Sequence, residues 1–441
     1  MTWKTLLSAR RRGQKAGTAI ESSRSAFEQD YDRIIFSHPF RRLQDKTQVH
    51  PIPEHDFVHT RLTHSLEVSS VGRSLGKRVG EVILQRHTEL ADEFTLFDFG
   101  SIVAAAALAH DLGNPPFGHA GEDSISDFFR RHSAGLQYKS LVSDHQWEDL
   151  IRFEGNAQGF RILNKDQYGL RLTYACLGAF TKYPCSAWFS ERDKSRKSQK
   201  KFGYFQSEKE AFAAVADDVG LIPNSKNSWC RHPLAFLVEA ADDICYSIID
   251  LEDGCRLGLV SFDETVDLLS GILRDKLDRN KLQARGDLNE KLGILRAMAI
   301  GELIDAATDV FLEHENKLLD GSFDQALTDL SIFSDALNEI SKVSVSKIYH
   351  AKHVVEIEAS GHQVLPGLLE EFCETGSQLL RGERSRKYNN LALLLGTDVV
   401  SAIKTSPDDY YHMLRCVIDF VSGLTDRHAL SLYRKIKGIS L

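Results

Sequence analysis

The run Ser101-Ile-Val-Ala-Ala-Ala-Ala-Leu-Ala109 ends on His110-Asp111 and then breaks at Leu-Gly-Asn-Pro-Pro116. An apolar run of this kind predicts a hydrophobic helix, and Gly113, Pro115 and Pro116 stop it. The helix end is thereby left open to a cavity, with an imidazole and a carboxylate at its mouth. The side chains of His110 and Asp111 leave the helix about 100° apart. Being unequal in length, they can still reach one ion. The turn then leads to His119 and Glu122, which are three residues apart and share a face of the next helix.

A divalent ion needs imidazole and carboxylate donors converging from rigid elements. Upstream, His64 stands at the start of another helix. Downstream, Asp242-Asp243 interrupts the apolar run Pro233–Leu251. At 100° per residue, Asp242 falls at the border of that helix's apolar face and Asp243 falls towards solvent. Asp242 is therefore the expected fourth ligand beside His64, His110 and Asp111. Any one of these alone would more often be a hydrogen-bonded structural residue; the set is what points to a metal.

Helical periodicity dominates elsewhere, which predicts an all-α fold with at most a minor β-hairpin. Helices are expected over 65–86, 98–111, 119–132, 146–164, 169–180, 208–219, 233–252 and 261–274. Thr60 or Thr63 would cap the first and Asp98 the second. Beyond 285 they continue over 286–318, 323–341, 364–381, 388–403, 408–424 and 427–437. Thr47–Val58 reads as a hairpin around Pro51 and Pro53, and Val354–Glu358 as a strand. The expected organisation is one helical body of 441 residues. A metal core would span 60–250, and the helical region 285–441 would offer an oligomer or regulatory surface.

The net charge of −8 argues against a generally basic nucleic-acid coat. No apolar run reaches the roughly 18 residues of a membrane helix, and the N-terminus shows no signal-peptide pattern. Seven cysteines without a C-x-x-C pair read as free or buried thiols of a cytoplasmic protein. Six Lys/Arg lie between Arg192 and Lys201. They read as a solvated mobile loop, with a lid or a nucleic-acid contact as the other reading.

Longer blocks carry a resemblance. They are Ser25–Val49, Arg61-Leu-Thr-His-Ser-Leu-Glu-Val68, His110–Glu122, Phe153-Glu-Gly-Asn-Ala-Gln158, Thr181-Lys-Tyr-Pro184, Glu239–Tyr246 and Asp419–Asp426. In this order the chain resembles the bacterial deoxyguanosine triphosphate triphosphohydrolases of the HD-domain superfamily, from about residue 20 to 435. The resemblance implies hydrolysis of a dNTP to deoxynucleoside and tripolyphosphate at one divalent ion. Imidazole with carboxylate suits Mn²⁺, Fe²⁺, Ni²⁺, Zn²⁺ or, less well, Mg²⁺. The same four ligands carry over, and the His119-x-x-Glu122 pair becomes catalytic. Lys182 and Tyr183 would contact phosphates. Arg61 would reach the α-phosphate. Gln48 and Tyr246 would lie near the sugar and metal, with Asn156 and Asp250 as further pocket residues. The extra helical surface of 285–441 suggests a homo-oligomer, for which the resemblance makes a hexamer one option, with a nucleotide effector bound between subunits; Arg10–Arg12 and the basic run 192–201 point to single-stranded DNA as a secondary regulator. At 441 residues the chain is shorter than the strictly dGTP-specific members, which points to broader or effector-regulated selectivity. Two alternatives stand: an HD phosphohydrolase of another nucleotide phosphoester, and a nucleic-acid-binding protein that retains the fold.

Overall fold

Two close-packed helices form the centre of the computed structural model, which describes residues 1–13, 24–49, 59–188, 192–193, 196–225, 227–383 and 385–439. Helix α1 (Arg61–Arg86) opens at Thr60, whose hydroxyl accepts from the Thr63 amide while Thr63 accepts from the Thr60 N–H. Helix α2 (Leu96–Ala109) starts earlier than the periodicity suggested: Thr95 is its cap, and Asp98 sits at N3 and accepts the Thr95 N–H at 2.9 Å. The two approach at backbone distance because α1 presents glycine. A Cβ on Gly76 would stand 2.7 Å from the Phe99 carbonyl oxygen. The alanine run of α2 is wholly buried.

Helices α3 (Gly118–Arg131), α4 (Gly155–Asn164) and α5 (Tyr174–Phe180) follow. Helix α6 (Pro233–Arg256) crosses α1 and α2 and is buried along most of its length. Its N-cap His232 is buried, which pushes its imidazole down to about 4. The later helices include α7 (Ser334–Val343), α8 (Lys352–Arg381), α9 (Tyr410–Ser422) and α10 (Asp426–Ile436). A pair of short strands, β1 (Pro223–Ser225) and β2 (Ser228–Trp229), forms the one sheet among the described residues.

Several expectations change. Val354–Glu358 is not a strand but the first turns of α8. Its apolar residues recur as Val354, Ile357, Gly361, Val364 and Leu365, a helical spacing that overrides β-branched propensity. Most of the Thr47–Val58 hairpin lies outside the described residues; Thr47 bridges Thr60. The 146–164 segment is two helices, Asp144–Ile151 and α4. The 286–318 segment is interrupted at His314, and 388–403 at Gly396, whose φ is +88°. All seven cysteines are buried and unpaired. Among the described residues no helix is long and apolar enough to cross a membrane.

The described residues form two hydrophobic cores. One gathers α1, α2, α5 and α6; the other joins Phe128 and Phe129 of α3 and Trp147 to α8, α9 and α10. The α2–α3 turn bridges them, so the open end of α2 faces the seam. Near that seam Asp149 is fully buried, accepting from the Tyr411 hydroxyl at 2.5 Å and the Gln206 amide at 2.7 Å. Burial pushes its carboxyl up to about 7. The folded state thus holds a proton the unfolded chain has released. This contribution is complete below about pH 4 and is lost as pH rises through 7, up to about 4 kcal/mol. Asp149→Asn, an isostere of the protonated acid, is expected to remove that slope. Urea melts of both proteins at pH 5 and pH 8 check it.

Candidate active site

Four donors meet at the open end of α2. His64 and His110 approach with ring centroids 5.3 Å apart. Asp242 Oδ1 lies 3.2 Å from His64 Nε2 and 3.5 Å from His110 Nε2, and Asp111 Oδ1 lies 3.5 Å from His110 Nε2. The donors of His64, His110 and Asp111 all fall within 4.8 Å of one another. The tautomer of His110 follows from its surroundings: Nδ1 is 2.7 Å from the Ala107 carbonyl, so Nδ1 carries the hydrogen and Nε2 offers its lone pair inward. Arg61 Nη1 donates to Oδ2 of Asp111 at 2.7 Å, while Oδ1, which faces His110, also accepts from the Asn114 side-chain amide.

The local field favours a cation there. Burial opposes charge on Asp242, but His110, His64 and Lys182 outweigh it and hold its carboxyl well below the usual range. Burial likewise opposes charge on His64, yet the Asp242 and Asp111 carboxylates push its imidazole up. Two imidazoles and two carboxylates are hard-to-borderline donors that suit a first-row divalent ion or Zn²⁺, so the residues present fit such an ion. Asp243 departs from expectation. It is half-buried and lines the cavity, where it accepts from the Thr328 hydroxyl at 2.8 Å, and burial pushes it up to about 7. The segment beyond 320 covers a helix face that periodicity marks as open.

A cavity of about 690 Å³ opens from His110, Asp111 and Asp242, while His64 is buried. On one wall His119 Nδ1 lies 2.7 Å from Glu122 Oε2. The Glu122 carboxylate is buried and also accepts the Gly155 amide at 2.6 Å, while the His119 ring juts into the cleft and is 82% exposed. Bonding to Glu122 pushes His119 up; burial opposes charge on Glu122, but His119 and Lys201 hold it down. Lys201 comes from the basic run read as a solvated loop. Its Nζ stands 3.3 Å from Glu154 and 3.8 Å from Glu122, and Lys200 beside it also lines the cavity. The end of that run is thus anchored: Ser198 is buried, and its hydroxyl donates to Asp324. The signal for Lys201 was its charge run, but the partners that place it are 47 and 79 residues away.

The remaining expected residues also line the cavity: Gln48, Asn156, Lys182, Tyr183, Tyr246 and Asp250. Helix α5 ends at Phe180, so Lys182 does not cap it; a turn carries Lys182 to within 3.3 Å of Glu239. Burial opposes charge on Glu239, but Arg231 and Lys182 hold it at about 2. The Gln48 Oε1 and Arg61 Nε atoms are buried without a partner among the described residues. Asp250 accepts from the Tyr349 hydroxyl at 2.7 Å. Tyr349, Val354, Ile357 and Glu358 also line the cavity, and the strand pattern expected over Val354–Glu358 gave no sign of it.

This arrangement is that of a metal-dependent phosphohydrolase built on the HD fold. Residues 61–145 match the HD domain and 332–435 the Phosphohydrolase-associated domain. The chain is 44% identical to a deoxyguanosinetriphosphate triphosphohydrolase-like protein of Synechocystis over all of both chains. It is 40% identical to one of Pseudomonas aeruginosa over 100% of this chain and 99% of that one. It is also 32% identical to the deoxyguanosinetriphosphate triphosphohydrolase of Salmonella paratyphi A over 94% of each. The chain belongs to the family of deoxyguanosinetriphosphate triphosphohydrolase-like proteins.

Proposed function

We propose that the protein hydrolyses deoxynucleoside triphosphates to deoxynucleoside and inorganic tripolyphosphate. One observation carries this reading: His110, Asp111 and Asp242, the His119–Glu122 pair and the cations Arg61, Lys182 and Lys201 all line a single cavity, with His64 buried against Asp242. The printed names of the relatives support it.

His64, His110, Asp111 and Asp242 would hold the ion. When bound, it supplies Lewis-acid polarisation and water activation. The chain's own residues do the rest. Lys182 and Lys201 meet the negative charge of the triphosphate, which a protein of net charge −8 must neutralise locally. Water attacks the α-phosphorus and the bond to the 5′ oxygen breaks. His119, held protonated by Glu122, donates its proton to that oxygen, and the deoxynucleoside departs neutral. Tyr246 and Asp250 border the space for the sugar. Val354, Ile357 and Glu358 lie beyond it, where selectivity for the base is set.

The test is product analysis by ion exchange. Each of the four dNTPs, singly and mixed, is incubated with Mn²⁺ or Mg²⁺ beside an Asp111→Ala control. Tripolyphosphate and deoxynucleoside appear with the wild type alone. Activity only in mixtures identifies an activating nucleotide; no tripolyphosphate in any mixture overturns the reading.

A further inference from the structure

The block Asp419–Asp426 belongs to the resemblance, yet it contributes nothing to the cavity wall. Its last residue, Asp426, opens α10 and is 2% exposed. One carboxylate oxygen accepts the Phe117 amide at 3.1 Å and the other accepts the Thr47 amide at 3.0 Å. Both amides adjoin the site: Thr47 precedes Gln48, and Phe117 lies two residues before His119.

Phe117 is a strained residue. Its φ is +65°, in the left-handed region that a bulky side chain rarely enters, and Gly118 follows at +56°. Such a conformation persists only where the surroundings over-determine it. Here two contacts from the C-terminal region do so. Asp426 holds the Phe117 amide. The Phe117 ring is wedged against Gly361 of α8, where a Cβ would come within 3.0 Å of Phe117 Cβ and Cγ. The same seam is closed by Lys46, whose Nζ donates to the Asn114 carbonyl at 2.6 Å and the Ser422 carbonyl at 2.8 Å.

We propose that Asp426 and Gly361 are positioning residues for the His119–Glu122 pair: the C-terminal helices hold the strained α2–α3 turn in the one conformation that aims His119 into the cleft. The region is then part of the catalytic apparatus as well as a surface. This rests on the reading of His119 as the proton donor.

The test uses the full chain and two variants. Asp426→Asn keeps one acceptor but turns an N–H₂ towards the other amide. Gly361→Ala crowds Phe117 while favouring its own helix, two effects that oppose each other, so its thermal melt should stay close to that of the wild type. Both are expected to lower kcat about 10²-fold, the cost of a misplaced group, with KM nearly unchanged. Combined with His119→Ala, each should add almost nothing, because the two changes remove one function. The histidine carbon NMR signal of His119, assigned by its loss in His119→Ala, should titrate at lower pH in both variants as the pair loosens. Unchanged kcat in both, or a penalty that persists in full beside His119→Ala, overturns the proposal. If the wild type releases no tripolyphosphate, the function reading fails instead, and the NMR titration decides this one: an unmoved His119 signal in both variants overturns it.

Discussion

Asp242→Ala is expected to abolish Mn²⁺ binding at the site and to lower kcat/KM by about 10³-fold or more. Asp242 is the donor that joins the two imidazoles, 3.2 Å from His64 Nε2 and 3.5 Å from His110 Nε2. Without it a site built from three helical elements loses one of two carboxylates, and with it half of the negative charge that offsets the ion's own. Metal catalysis supplies several kcal/mol of transition-state stabilisation, and each 1.4 kcal/mol or so is tenfold in rate. The fold should survive, because α6 buries its opposite face through Leu237, Ala241, Ile244 and Ile248. Calorimetry with Mn²⁺ alone, beside a thermal melt, separates a lost ligand from a lost fold. A variant that binds Mn²⁺ as tightly as the wild type and turns over within tenfold of it removes Asp242 from the ligand set.

His119→Ala comes second, with an expected fall in kcat of about 10²–10⁴-fold and little change in KM. The wild-type rate should decline on the alkaline side, where His119 loses the proton that Glu122 helps it keep. The variant should lack that decline. Glu122→Gln removes the charge that raises His119, so the alkaline limb should move to lower pH while activity persists. An alkaline limb unmoved in Glu122→Gln would assign it to another group.

Much of the site is local text. His110 and Asp111 follow an alanine-rich helix that Gly113 ends, and the three-residue spacing of His119 and Glu122 fixes their shared face. Asp242 was reached by helical phase, since the border of an apolar face is readable from period alone. The same argument misplaced Asp243. Periodicity reports which face is apolar, not what a segment 85 residues later lays over the other face. Lys201 illustrates the converse: a charge run marks cations, but only Glu122 and Glu154 decide that one of them turns inward.

The sequence by itself determined the helical class and the spacing that sets His110 beside Asp111 and His119 beside Glu122, because each depends on residues within two turns of one another. Tertiary structure alone decided the rest. It placed α8 where β-branched residues suggested a strand, since α8 packs along α3 with Gly361 against Phe117. It brought Asp426 across 309 residues to the Phe117 amide, holding a turn that the local sequence would relax. Backbone strain is sustained only by contacts from elsewhere, and their origin cannot be read at the strained residue.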